Sequence, residues 1–367
     1  LVTVLAAAGA LAACGPARDG AVVTPAPTPR PAASATPTAD LHLPLLAVLD
    51  HPFGAAPNTL RLLRADGGRE VARIALDPDA EAVTTSGALV LVAGAGQVRA
   101  YAADGSLVTT TPFPGGTDTL VRGLVGDAGS AHWLWATVAQ KGDAAVTQIY
   151  AAGPGVAPAV VMSSTASGRA QQPLLWTNQG PVVSEEPLGI GGYVLFRRTF
   201  GSTGVLDMSG RSVRPLTDAS CAFSDMATDG SIACVLNGRE APNNGGPVTL
   251  RVTRTGRTPL EIALPPAVQQ AGAALFSPDG KTLTLASSPA RGEGEEQISM
   301  ELVDVASGAH HAFGAAGLMP VAWLADGRLV AVRLPGVAGG DAGTYVLDSD
   351  GTATLISGAS TVIGVLR

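Results

Sequence analysis

Cys14, Cys221 and Cys234 are the only thiols in this 367-residue chain, and their settings predict different chemistry. Cys221 and Cys234 flank one predicted hairpin. With residues 227–230 as its turn, position 234 falls opposite 223, and Cys221 lies on the same face one diagonal step away. A disulfide here would add on the order of 2–3 kcal/mol. The other reading is two buried thiols acting as small apolar residues. Metal binding by the pair lacks a third and fourth ligand at suitable spacing.

The remaining candidates are mostly bland. His310 and His311 are adjacent in a predicted strand, so they point to opposite faces and cannot readily share a metal. They belong to an outer edge that faces solvent. His42, His51 and His132 are isolated. Glu293, Glu295 and Glu296 read as a solvated loop, because the spacing of an acidic calcium loop is absent. Glu185 and Glu186 lie in a long irregular stretch, 184–200, an extra apolar segment or a long b–c loop that could reach over one face. Trp133 and Trp135 alternate with Leu134 and are expected to pack between sheets.

The elements that must carry these residues are short strands with recurring turns. Phe276-Ser277-Pro278-Asp279-Gly280-Lys281 leads into the alternating strand Thr282–Ser288. Proline pre-sets φ for the turn, and glycine takes the backbone where a side chain would clash. Weaker copies surround Asp229-Gly230 and Asp326-Gly327. The three Asp-Gly pairs are spaced by 50 and 47 residues. A repeat of roughly 40–50 residues built from short strands is the mark of a β-propeller.

Each blade has four antiparallel strands, a to d from the centre outward. Turns between c and d are expected at 66–67, 104–105, 153–155, 209–210, 255–256, 307–308 and 350–351. Turns between a and b are expected at 86–87, 127–129, 179–180, 229–230, 279–280 and 326–327, one fewer. The first blade begins directly with a b-like strand at 45–49. The chain ends on an unpaired apolar strand, 360–366, which can supply the missing a strand and close the ring. The blades then run 41–76 (completed by 360–367), 80–113, 117–164, 171–217, 220–264, 270–313 and 320–357. Seven is the expected number; eight, by splitting the fourth, and six are the alternatives.

An enzyme on such a ring would place its acids, bases or metal ligands around the axis. The predicted a strands contain no histidine, and Glu81, Arg122 and Asp225 are their only charged residues. General acid–base or metal catalysis needs convergent titratable groups. No Gly-x-Ser-x-Gly nucleophile elbow occurs. Net charge is −7, with no basic run, and aromatic residues are 4%. Nucleic-acid binding and an aromatic sugar platform are therefore disfavoured.

The first forty residues differ from the rest. Residues 1–13 are small and apolar, too few to span a bilayer as a helix but suited to the h-region of a secretory signal. Leu11-Ala12-Ala13-Cys14 resembles the lipobox of bacterial lipoproteins. The resemblance implies cleavage before Cys14 and lipidation, including palmitate, of that cysteine. Residues 14–40 are rich in Pro, Ala and Thr, with little to bury, and read as a flexible linker. In polyproline form it would reach at most ~80 Å, at ~3.1 Å per residue.

The hairpin Phe276–Lys281 and the outer strand Leu302-Val303-Asp304-Val305-Ala306-Ser307-Gly308 are similar to the propeller repeats of TolB-type and lactonase-like (YVTN-type) proteins. The resemblance covers blades six and seven well, blade five fairly and the others by pattern. It implies fold and not function. No Trp-Asp signature is present.

The expected protein is all-β: a seven-bladed β-propeller over 41–367, closed by its C-terminal strand and preceded by a signal (1–13) and a lipidated linker (14–40). Its expected function is an exported, membrane-anchored module, non-catalytic, that binds or scaffolds an envelope protein, peptide or glycan. It is placed on the outer face of a bacterial membrane, held by the lipid on Cys14, with a monomeric head, no cofactor and no metal. The alternative is a hydrolase or lyase acting at the axial mouth. A sensor or assembly factor beside a membrane complex is a third reading.

Overall fold

The Asp-Gly pairs form tight turns because each residue of the pair does one job. In Ser277-Pro278-Asp279-Gly280, the Gly280 N–H donates to the Ser277 carbonyl at 2.9 Å, and Gly280 takes φ +68°. Left-handed backbone of this kind strains any residue with a Cβ. The Asp279 carboxylate accepts the Lys281 N–H at 3.1 Å and the Ser277 hydroxyl at 2.7 Å. The same carboxylate-to-amide bond two residues on is made by Asp104, Asp229, Asp326 and Asp350. This local satisfaction of backbone donors explains why Asp-Gly recurs.

In the computed structural model, the described residues are 44–50, 59–115, 121–141, 144–188, 196, 201–209, 212–238, 246–289 and 297–367. They form seven four-stranded antiparallel sheets. Blade one contains β1 (Leu45–Asp50), β2 (Thr59–Arg64) and β3 (Glu70–Ala75). Blade two is β4 (Ala80–Ser86), β5 (Leu89–Gly94), β6 (Gln97–Tyr101) and β7 (Leu107–Pro112). Blade three is β8 (Val121–Gly126), β9 (Trp133–Lys141), β10 (Ala144–Gly153) and β11 (Val156–Ser167). Blade four is β12 (Arg169–Thr177), β13 (Gly180–Pro187), β14 (Thr203–Asp207) and β15 (Ser212–Thr217). Blade five is β16 (Cys221–Met226), β17 (Ile232–Leu236), β18 (Thr249–Thr253) and β19 (Leu260–Ala263). Blade six is β20 (Gln270–Phe276), β21 (Thr282–Ser288), β22 (Ser299–Asp304) and β23 (His310–Ala312). Blade seven is β24 (Met319–Trp323), β25 (Leu329–Arg333), β26 (Gly343–Leu347) and β27 (Ala353–Gly358). The last strand, β28 (Ser360–Leu366), pairs with β1 and completes blade one.

The seven-bladed all-β propeller and its C-terminal closure therefore stand as the turn spacing predicts. Closure removes the edge that β1 would otherwise present. The inner and middle strands are apolar on both faces because each face meets a neighbouring blade. β25 and β26 are buried throughout, whereas the outermost β23 is exposed throughout. One apolar cluster fills each junction between blades. Leu91, Phe113, Trp133 and Trp135, for example, join blades two and three, and Val182, Val205, Phe223 and Ile232 join blades four and five.

Every innermost strand carries a register shift against its b strand. Such bulges add an unpaired residue and sharpen the local twist, which suits strands that converge on an axis. In blade three the extra residue is Gly123, at φ +60°; a Cβ there would lie 2.5 Å from the Pro173 carbonyl oxygen of the next blade. The sequence reading did not foresee these bulges. Blade four also begins earlier than the expected 171, since β12 starts at Arg169. Glu185 and Glu186 belong to β13, not to a loop over the face, because β12 and β13 stay paired out to Arg169 and Pro187.

Candidate binding face

All a strands run the same way, so their starts and ends define two faces. The face at the a–b and c–d turns is made of short, capped turns. The opposite face carries the b–c connections, several of them long: 51–58, 188–202, 237–248, 289–298 and 334–342. Those five sit on blades one, four, five, six and seven, which are contiguous around the ring, while blades two and three have the short connections 95–96 and 142–143.

The axial strands carry four charged residues, not three, because the longer β12 adds Arg169. Asp225 accepts the Phe276 N–H through Oδ2 at 2.9 Å, across the blade five–six junction. Arg169 lies 3.9 Å from Glu185. Burial pushes the Glu81 carboxyl above its ordinary value; a hydrogen bond from the Val121 backbone N–H opposes this and Asp79 adds to it. Among the described residues, no three His, Cys, Asp or Glu side chains group closely enough to hold a metal ion.

Cys221 and Cys234 form a disulfide with Cα atoms 5.4 Å apart. The register pairs Phe223 with Cys234 and Cys221 with Leu236, so the bridge runs diagonally between β16 and β17. His310 and His311 sit on β23, where the His310 Nδ1 meets Glu301 at 2.6 Å. His132 lies in the turn 127–132, with its Nδ1 2.9 Å from the Ser130 hydroxyl. Trp135 stacks on Tyr150 of its own blade at 5.4 Å and meets Phe113 of blade two at 5.7 Å, and the second contact is packing between blades. Cys14, His42, His51, Glu293, Glu295 and Glu296 lie outside the described residues.

Two features of the long-loop face escaped the sequence reading. Arg333, at the end of β25, is only 4% exposed. Its guanidinium donates to the carbonyl of Ala316 at 2.7 Å and to the Tyr345 hydroxyl at 3.0 Å, and it lies 5.1 Å from the Tyr345 ring centre. It thus holds the connections on either side of β24 and β25. An arginine closing an otherwise apolar strand was the available signal.

The second feature is a cavity of about 340 Å³ in blade four, lined by residues that include Gln171, Val183, Glu185, Thr203, Leu216 and Asp218. These lie at the start of β12, the end of β13, the start of β14 and the end of β15, so the cavity opens at the long-loop end. Glu185 and Glu186 diverge, as neighbours on a strand must. Glu185 lines the cavity, whereas Glu186 is buried and takes a hydrogen bond from Ser184. Thr203 and Thr217 hydroxyls meet at 2.7 Å across β14 and β15.

No family model matches the sequence, and no curated protein matches it. Solved structures do. The acylaminoacyl peptidase of Pyrococcus horikoshii aligns with a TM-score of 0.52 and 13% identity, covering 85% of this chain and 52% of that one. The β-propeller domain of the Trilobed protease from Pyrococcus furiosus aligns at 0.49 and 11%, covering 76% and 84%. TolB from Acinetobacter baumannii aligns at 0.42 and 12%, covering 85% and 80%. The chain spans about half of the first of these proteins, and at such identities the likeness is one of fold: a β-propeller.

Proposed function

We propose that this chain is an exported, lipid-anchored protein whose propeller is a non-catalytic binding or scaffolding module for a protein, peptide or glycan of the bacterial cell envelope. The observation that carries this reading is the asymmetry of the ring. Five contiguous blades join their b and c strands by long connections at one face, whereas the turns of the other face are short, and the blades beneath form a packed support. Binding residues are commonly carried on loops held by a rigid scaffold.

The anchor rests on the N-terminal sequence. The apolar run 1–13 would be a signal removed before Cys14, and 14–40 would tether a propeller of 41–367 to the outer face of a membrane. Labelling of the intact chain with palmitate, lost in Cys14→Ser, is the expected result; equal labelling of both would refute the anchor. For the binding role, the test is affinity purification from the native envelope in mild detergent with mass spectrometry. A reproducible stoichiometric partner supports the module. A head that purifies alone and turns over a substrate points to the rival hydrolase or lyase.

A further inference from the structure

Phe196 belongs to the connection that joins β13 to β14 in blade four, yet it packs at the head of β20 in blade six. It is 5% exposed and joins the buried apolar cluster that includes Ala286, Ile298, Met319 and Val321 of blades six and seven. Gly272 makes room for it. A Cβ at Gly272 would lie 2.9 Å from the Phe196 Cβ and 3.0 Å from the Phe196 carbonyl oxygen. The next residue, Ala273, takes φ +48° and packs against the same cluster. Left-handed backbone of this kind strains a residue with a Cβ. β20 is an innermost strand and starts at the long-loop end of the ring, so the contact lies at the axial edge of the candidate binding face.

A buried phenylalanine beside a bare glycine backbone, within an aliphatic cluster, defines a seat for a flat apolar side chain. Strained backbone such as that of Ala273 clusters at ligand clamps and switch regions. Segments that bind ligands are also drawn from the least stable parts of a fold, and Phe196 sits on a connection, not on a strand. We infer that the head of β20 is a socket for an aromatic side chain of a partner polypeptide, with Phe196 as the internal occupant that the partner displaces. The exchange replaces like with like in the socket. Its bias therefore comes from contacts that the partner makes elsewhere on the long connections. The inference rests on the binding-module reading and selects a polypeptide over a glycan.

The test uses the full chain and two probes, N-acetyl-phenylalanine amide and N-acetyl-alanine amide. Amide NMR shifts of Ala271, Gly272 and Ala274 report occupancy. Phe196→Ala is expected to bind the phenylalanine probe saturably. Wild type should bind it about tenfold more weakly, because Phe196 must leave first, and neither should bind the alanine probe. Gly272→Ala, added to Phe196→Ala, puts a Cβ into the socket and should weaken binding about tenfold again. If Phe196→Ala does not unfold cooperatively, Phe196→Leu takes its place and should bind more tightly than wild type. Equal shifts from both probes, no saturation in the opened variant, or binding unchanged by Gly272→Ala would overturn the socket. Wild type that gives no shift, while the opened variant binds, would make Phe196 a fixed part of the core and overturn its displacement. Should Gly272→Ala alone capture an envelope partner as wild type does, the socket falls and the binding module stands. Should wild type capture none, the module falls, and the probe titration still decides the socket.

Discussion

The Asp225 carboxylate reaches across the junction between blades five and six and accepts the Phe276 N–H at 2.9 Å. Strand-to-strand pairing holds each blade, and this bond joins the innermost strands of two blades. It is charge-assisted, so it ties the ring more firmly than a neutral bond would.

Asp225→Ala should therefore lower stability by about 1.5–3 kcal/mol, the range for hydrogen bonds to charged groups. Asp225→Asn keeps an acceptor and should lose less. Urea unfolding followed by tryptophan fluorescence is the measurement. An alanine variant with the wild-type midpoint would show that the bond contributes nothing to the ring.

Ring closure gives a larger effect. Val362 and Leu366 on β28 are buried, and their strand covers the edge of β1. Deletion of 360–367 should abolish cooperative unfolding and promote aggregation through the bared edge. Leu366→Ala, which leaves the pairing in place, should cost about 2–5 kcal/mol. A truncated head that melts like the intact one would refute the closure role.

The disulfide of blade five should contribute on the order of 2–3 kcal/mol through the short loop that it closes. The double variant Cys221→Ala/Cys234→Ala should melt lower than wild type. Reductant should lower the wild-type melting temperature and leave the variant's unchanged. Equal sensitivity of both to reductant would contradict this.

Acid should weaken the turns together. Hydrogen bonds from Ser106, Ser277, Ser307 and Thr352, and from backbone amides beside them, hold Asp104, Asp279, Asp304 and Asp350 below the ordinary value of 3.8. A depressed carboxyl contributes stability above its unfolded value and loses it as pH falls through the folded one. The loss should thus begin near pH ~4 and continue below it. Replacing Asp104, Asp279 and Asp350 by Asn should make the fall in the unfolding midpoint between pH 5 and 3 shallower. An identical slope would mean that these turns do not set the acid limit.

Much of the fold is legible in the chain because its signals are local. An Asp-Gly turn needs only the carboxylate, the amide two residues on and a glycine free to adopt positive φ. The missing a–b turn and the apolar tail together reveal the closing strand without any knowledge of contacts. The diagonal Cys221–Cys234 pair follows from turn position and strand periodicity. The candidate site was far less legible. Glu185 and Glu186 were visible as a pair, but their placement in β13, facing opposite ways, depends on how far β12 extends to meet them. Arg333 and the cavity beside Thr203, Gly204 and Asp218 gave no motif at all.

The sequence by itself determined the blade and its closure and favoured seven repeats over six or eight, since turn chemistry and strand alternation act within a few residues. The tertiary structure alone decided the bulges of the inner strands, the bond from Asp225 to Phe276, the burial of Arg333 and the cavity of blade four. Each depends on segments from separate strands, and often separate blades, meeting in space. Their energies come from desolvation and packing between surfaces that no local pattern brings together.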